Sequence, residues 1–257
     1  MVMPAEYSFI QETIYVIGHN EASGDYGAVN AVDVVSVGIF QWYGGRAYDL
    51  CYSIYSTLGS AVADPILAGT NIAAELQQNE SSLWSYWTPN ATEREALSNF
   101  ISIDKGIRIQ NELATTDGWS YIKTGQNYGL TDGAALIYFA DLYNQSPRQA
   151  VNILSAAGGA SAANNLQALH NTAMRNNVMN QYSTRRNWTY NELLAWGGQA
   201  ETPPPSGGGG WVGGDEGKDS NDYIIDYQGI LVLYSQTYPE GKVYLPTNTN
   251  IFYPKNT

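Results

Sequence analysis

"EYSFIQETIYVIGHNEASGDYGAVNAVDVVSVGIFQW", residues 6 to 42, changes its hydrophobic period partway along, and that change sets the fold class. In its first part Ile10, Ile14, Ile17 and Glu21 recur at spacings of four, three and four, which lays them along one face of a helix. Ser23 and Gly24 end that helix and open a turn-rich loop with Asp25 and Gly27. A small β element near residues 28 to 42 follows, in which the apolar run Val37-Gly38-Ile39-Phe40 leads into Gln41 and Trp42. Glu21 thus closes an otherwise apolar stripe. Desolvation disfavours the charged form of a carboxyl held against apolar surface. A carboxyl protonated near neutral pH is what a general acid needs to donate to a glycosidic oxygen. The same spacing also fits a solvated glutamate at a helix end.

Beyond this stretch the pattern stays helical to about residue 200. Asp64-Pro65 reads as an N-cap with proline in the first helical position. Thr92 with Glu95 reads as a capping box ahead of "ALSNFISIDKGIRIQNEL". Thr131 caps "DGAALIYFADLYNQ", Pro147 opens the next helix, and Thr189 with Glu192 form a further capping box before "LLAW". No internal repeat is visible. Residues 201 to 217, "ETPPPSGGGGWVGGDEG", cannot form a regular element and read as a linker, part stiff and part flexible. Residues 218 to 257 then turn rich in Ile, Val, Leu and Tyr, broken by Gln-Gly and Pro-Glu-Gly, which predicts several short strands. A piece of about 40 residues is marginal as an independent core, so it is expected to pack on something or to self-associate. The expected class is α+β. It comprises a mainly α domain over residues 1 to 200 with a small β-hairpin, then a linker and a small β-rich module.

Composition removes several functions. The net charge of −12 divides as −9 over residues 1 to 202 and −3 over the rest. Such a chain has no basic surface for nucleic acid and no attraction to an anionic wall or membrane. No apolar window is long enough to span a bilayer, and "MVMPAEYSFIQE" lacks the basic and apolar regions of a secretory signal, so a soluble chain is expected. Two histidines and one cysteine make a zinc site hard to assemble, and neither metal nor cofactor is expected. Cys51 shares helical spacing with Ala47, Leu50, Ile54 and Leu58, ahead of a Gly59 stop, and reads as a buried core thiol rather than a nucleophile.

Glu21, Gly24, Tyr26, Val29, Asn30, Asp33, Ser36, Gly38, Gln41, Trp42, Arg46 and Ala47 stand in an order that resembles the lysozyme-like superfamily. The resemblance is in particular to the glycosidase (muramidase-type) domain of lysins from phages infecting Gram-positive bacteria. "GIFQ" is also similar to the Gly-Leu-Met-Gln signature of lytic transglycosylases and goose-type lysozymes, where it belongs to a β-hairpin lining the sugar cleft. "IQNELATTDGWSYIKTGQNYGLTDGAALIYFADLYNQSP" and "YSTRRNWTY" look like later parts of the same phage domain, so the resemblance covers roughly residues 7 to 195.

The resemblance implies that Glu21 protonates the bridging oxygen between amino sugars of bacterial peptidoglycan. Asp33 is the leading candidate for a second carboxylate, whose separation from the first would decide inversion or retention. A structural Asp33 bonding to hairpin backbone remains open. So does Asp25 as a plain turn residue. A lytic transglycosylase needs only the glutamate, because a hydroxyl of the substrate attacks. Gln41 can bond to sugar N-acetyl or hydroxyl groups, and Trp42 can pack on a pyranose face. Tyr26, Ser36 and Tyr121 are further candidates for substrate contact, with Tyr43 and Trp119 as possible extensions of the aromatic platform. Arg185 and Arg186 suit either substrate carboxylates or ion-paired surface sites.

The expected setting is an endolysin reaching the wall after holin-type release, or a virion-associated lysin. Residues 218 to 257 would bind the wall, contact phage tail proteins or self-associate. The rivals are an amidase or peptidase, poorly served by so few His and Cys, and a non-catalytic carbohydrate-binding or structural tail protein on the same fold.

Overall fold

This computed structural model describes residues 5–78, 81–159, 161 and 164–196, together with the backbone of four strands between residues 223 and 252. Among these residues the chain is mainly helical, with one short antiparallel element early in the chain, a mainly α form of the α+β class. The apolar stripe forms as its spacing predicts. On α1 (Ala5–Ala22), Ile10, Ile14 and Ile17 are all buried. Ser23 and Gly24 take left-handed φ values of 53° and 77°, and their amides return to the carbonyls of His19 and Gly18, which ends the helix.

Packing separates two units, one including the described residues from 25 to 114 and the other those from 5 to 24 and from 115 to 196. The first carries the hairpin element. β1 (Val29–Asn30), β2 (Ser36–Val37) and β3 (Trp42–Tyr43) pair antiparallel in that order, with Val29 opposite Val37 and Val37 opposite Trp42. α2 (Gly45–Leu58) follows at once and buries Ala47, Leu50, Cys51 and Ile54 together with Tyr48 and Tyr55. It stops at Gly59, whose amide bonds the Tyr55 carbonyl. α3 (Ser60–Ile66), α4 (Ile72–Gln78), α5 (Ser81–Trp84) and α6 (Ala91–Ile101) complete the helices lying wholly in this unit. Trp84 is fully buried, edge-on to Tyr48, and its indole N–H donates to Glu75 at 3.0 Å.

α7 (Asp104–Asn127) gives its first part to this unit and the remainder to the other. The centre of the second unit is α8 (Gly133–Gln145), buried at every residue from Gly133 to Leu142. A helix covered on all faces must be apolar throughout or pair whatever polar group it carries. α1, α9 (Pro147–Ala156), α10 (Leu166–Ala173) and α11 (Ser183–Ala195) pack around α8. Among the described residues no helix is long and apolar enough to cross a membrane.

Local signals located the helices better than their caps. Pro147 opens α9 as expected. The box that starts α6, however, is Asn90 with Glu93, two residues earlier than Thr92 and Glu95. Asp132, not Thr131, caps α8 by accepting from the Ala135 amide. Asp64-Pro65 lies inside α3, and the Asp64 carboxylate accepts from the Tyr55 hydroxyl at 2.6 Å. Thr189 and Glu192 lie within α11, where Thr189 serves a buried acid rather than a helix end. The run "ALSNFISIDKGIRIQNEL" is two helices, because α6 ends at Ile101 and α7 begins at Asp104.

The expected linker over residues 201 to 217 lies outside the described residues. Beyond it, β4 (Tyr223–Ile225), β5 (Leu231–Ser235), β6 (Tyr238–Tyr244) and β7 (Asn250–Phe252) form an antiparallel sheet in sequence order.

Candidate active site

Glu21 is the penultimate residue of α1, beside its left-handed end, with 17% of its side chain exposed. Its setting differs from the one its apolar stripe predicts. Glu21 Oε1 is 2.7 Å from Arg185 Nη2 and accepts from Asn144 Nδ2 at 2.9 Å. The carboxylate is therefore ion-paired rather than pressed on hydrocarbon. Periodicity showed the apolar neighbours on its own helix but not the cation brought by α11. Oε2 takes no hydrogen bond from a described residue.

Arg185 is held from the other side by Asp141 Oδ1 at 2.6 Å. Asp141 is the single acid in the buried run of α8, and it is fully buried. Arg186 Nη2 pairs its Oδ2 at 2.7 Å, the Thr189 hydroxyl donates to it at 3.1 Å, and Asn20 donates in turn to Thr189 at 2.8 Å. Burial alone pushes the Asp141 carboxyl up, but the two guanidinium groups outweigh it and hold the acid below its ordinary value. Burial likewise opposes the charge on Arg185, and Asp141 with Glu21 overcome it, so Arg185 stays a cation. Neither arginine sits on an open surface, and Arg186 is entirely buried. An acid in an otherwise apolar helix was the sequence signal for this network, since a buried charge must find a partner.

The hairpin residues form a second group, described within their own unit. Gln41, with a left-handed φ of 51°, accepts from the Ser36 hydroxyl at 2.9 Å and donates to the Gly38 carbonyl at 2.9 Å. Both ends of the amide expected to meet a sugar are thus bonded inside the hairpin, and Ser36 is buried with it. Trp42 is 4% exposed and stacks on Phe40 at 5.5 Å, so it packs in the core. Tyr26 donates to Asn111 Oδ1 at 2.7 Å, and burial raises its hydroxyl pKa, with the Asn111 bond opposing. Among the described residues of this unit, Tyr43, Tyr52 and Tyr86 turn aromatic rings outward. Tyr86 directly precedes Trp87, whose carbonyl accepts from the Val35 amide.

Asp33 is exposed, and the bond it makes at the turn is through its carbonyl, which accepts from the Thr88 hydroxyl. Its carboxylate takes no hydrogen bond from a described residue. The side chain that ties this turn is Asn30, accepting from the Val32 amide at 3.0 Å. Asp25 behaves as a turn residue, accepting from the Gly27 amide at 2.8 Å. In the other unit, Tyr121 is half-buried beside Tyr143, and Trp119 packs near Phe9.

The residue that motif reading missed in the hairpin unit is Gln110, on α7. It is fully buried, accepts from the Ile39 amide at 2.9 Å, and donates to the carbonyls of Tyr26 and Ile101 at 3.0 and 2.9 Å. A Cβ on Gly38 would lie 2.4 Å from Gln110 Oε1, and Gly38 has φ of +74°, so only glycine fits there. Cys51 is fully buried, and burial pushes its thiol well above the ordinary value, leaving no thiolate for attack. Among the described residues no group of His, Cys, Asp or Glu is placed to hold a metal ion.

No protein-family model, curated protein or solved structure matches the chain.

Proposed function

We propose that this chain is a peptidoglycan-cleaving glycosidase of phage type, endolysin or virion-associated lysin, with Glu21 as its general acid. The observation that carries the reading is the anchoring of Glu21. One carboxyl oxygen is held by a guanidinium and an amide, while the other takes no bond from a described residue. That leaves one oxygen placed to exchange a proton in one direction, while the guanidinium favours the charge the carboxyl carries after donation. The ordered set of hairpin residues downstream, quoted above, supports the same reading.

In the step proposed, the proton on Glu21 Oε2 passes to the oxygen bridging two amino sugars. The bond from that oxygen to the anomeric carbon breaks, and the electron pair leaves with the departing sugar. Water then adds to the electron-poor anomeric carbon, and the proton it releases restores the acid, directly or through solvent. Asp33, with its uncommitted carboxylate, is the candidate to take the proton of the attacking water. In a lytic transglycosylase a hydroxyl of the substrate takes the place of water, and Asp33 has no chemical role. Tyr43 is the exposed hairpin ring best suited to pack on a sugar face.

The test is mass spectrometry of soluble fragments from purified peptidoglycan treated with wild type and with Glu21→Gln. New reducing ends, lost in the variant, are expected, and the terminal sugar names the bond. Anhydro ends would move the assignment to a lytic transglycosylase. Cut peptide stems on intact glycan would sink the glycosidase reading, and an intact wall with bound protein would favour a carbohydrate-binding tail protein.

A further inference from the structure

We infer that Arg185 is the positioning residue of the acid, and that buried Asp141 exists to hold Arg185 in place; this rests on the reading of Glu21 given above. Three features of the network carry it. Arg185 touches Glu21 and Asp141 through the same nitrogen, Nη2, at 2.7 and 2.6 Å, and its Nε is buried without a partner among the described residues. Arginine–carboxylate pairs are frequently two-pronged. Arg186 meets Asp141 through Nη2 alone, whereas Arg185 divides its Nη2 between two carboxylates.

The second feature is the direction of support. Asp141 is fully buried and further fixed by Arg186 and Thr189, whereas Glu21 is the less buried end of the chain of contacts. Rigidity therefore runs from the core outward to the acid. The third is charge. As Glu21 gives its proton to the leaving oxygen, negative charge grows on its carboxyl, and a guanidinium already 2.7 Å away meets it without reorganisation. Asn144, donating to the same oxygen, fixes the plane of the carboxyl and leaves Oε2 as the proton carrier.

The inference predicts a defect confined to proton donation. Two substrates separate it from a general loss of structure: the natural glycan, whose leaving sugar needs a proton, and a 4-nitrophenyl glycoside of the same amino-sugar oligosaccharide, whose leaving group needs none. In Arg185→Met, kcat on the glycan is expected to fall about 10- to 100-fold with KM changed by less than about threefold, while kcat on the nitrophenyl substrate falls no more than about threefold. Arg185→Lys, which keeps a cation beside Asp141, is expected to recover part of the glycan rate. Should Arg185→Met fail to fold, the ratio of the two rates in Arg185→Lys carries the same comparison. Equal losses on both substrates, or an unchanged glycan rate, would overturn the role of Arg185 while leaving Glu21 untouched. A wild type that opens no glycan bond, or a Glu21→Gln variant as active as wild type, would instead overturn the glycosidase reading itself.

Discussion

Gln110 shows how one buried side chain can tie three backbone segments together. It supplies an acceptor to the Ile39 amide and two donors to the carbonyls of Tyr26 and Ile101, all from a fully buried position. Removing it strands buried backbone groups, each of which loses more than the net worth of one hydrogen bond. Gln110→Leu is therefore expected to destabilise the protein by about 2–4 kcal/mol, read as a lower denaturant midpoint at unchanged m-value. An unchanged midpoint would mean that the Gly38–Gln41 turn holds itself. The sequence marked Gly38 and Gln41 as members of a sugar-lining signature. The structure gives their neighbourhood a more local task, since both amide ends of Gln41 close the hairpin.

At the scale of elements, the contact between α1 and α11 carries a pH dependence of its own. Glu12 on α1 is raised from 4.5 to about 7, first by desolvation and then by Glu192 on α11, and its Oε1 is buried without a partner among the described residues. The folded state thus holds a proton that the unfolded chain releases near pH 4.5. The corresponding stability is fully present below that pH, declines as pH rises, and is gone above about pH 7. Asp141 acts oppositely: its lowered value gives stability that persists down to acid pH and is lost only below the ordinary aspartate range. Between pH 8 and pH 5 the melting temperature is expected to rise, and Glu12→Gln should flatten that rise. A wild type with the same melting temperature across this window would show that burial does not raise the Glu12 carboxyl in the folded state. Glu192 and Arg185 lie on the same helix, α11.

For the whole molecule, Glu21 and its ion-pair network belong to one unit and the hairpin to the other, and the strands from residue 223 onward form a sheet of their own. If the C-terminal module binds the wall, a chain ending at residue 200 keeps its rate on soluble glycan fragments and loses retention on intact walls in a sedimentation assay. A change in oligomeric state on the same truncation, with retention unaltered, would assign the module to assembly.

What the sequence determined by itself is local. The stripe of Ile10, Ile14 and Ile17, the left-handed stop at Ser23 and Gly24, the Gly59 cap and the short hairpin all follow from periodicity and turn chemistry acting over a few residues. Cap positions slipped by two residues at Asn90 and by one at Asp132, because adjacent polar side chains offer alternative caps and the pattern alone does not choose between them. The surroundings of Glu21 belonged to tertiary structure alone. Its own helix offers it hydrocarbon, and the arginine and asparagine that meet it arrive from α11 and α8, distant in the chain. Periodicity reports which face of a helix turns inward. Which charge waits there depends on how buried Asp141 draws two arginines into the core, because a buried carboxylate left unpaired is too unfavourable for the fold to keep.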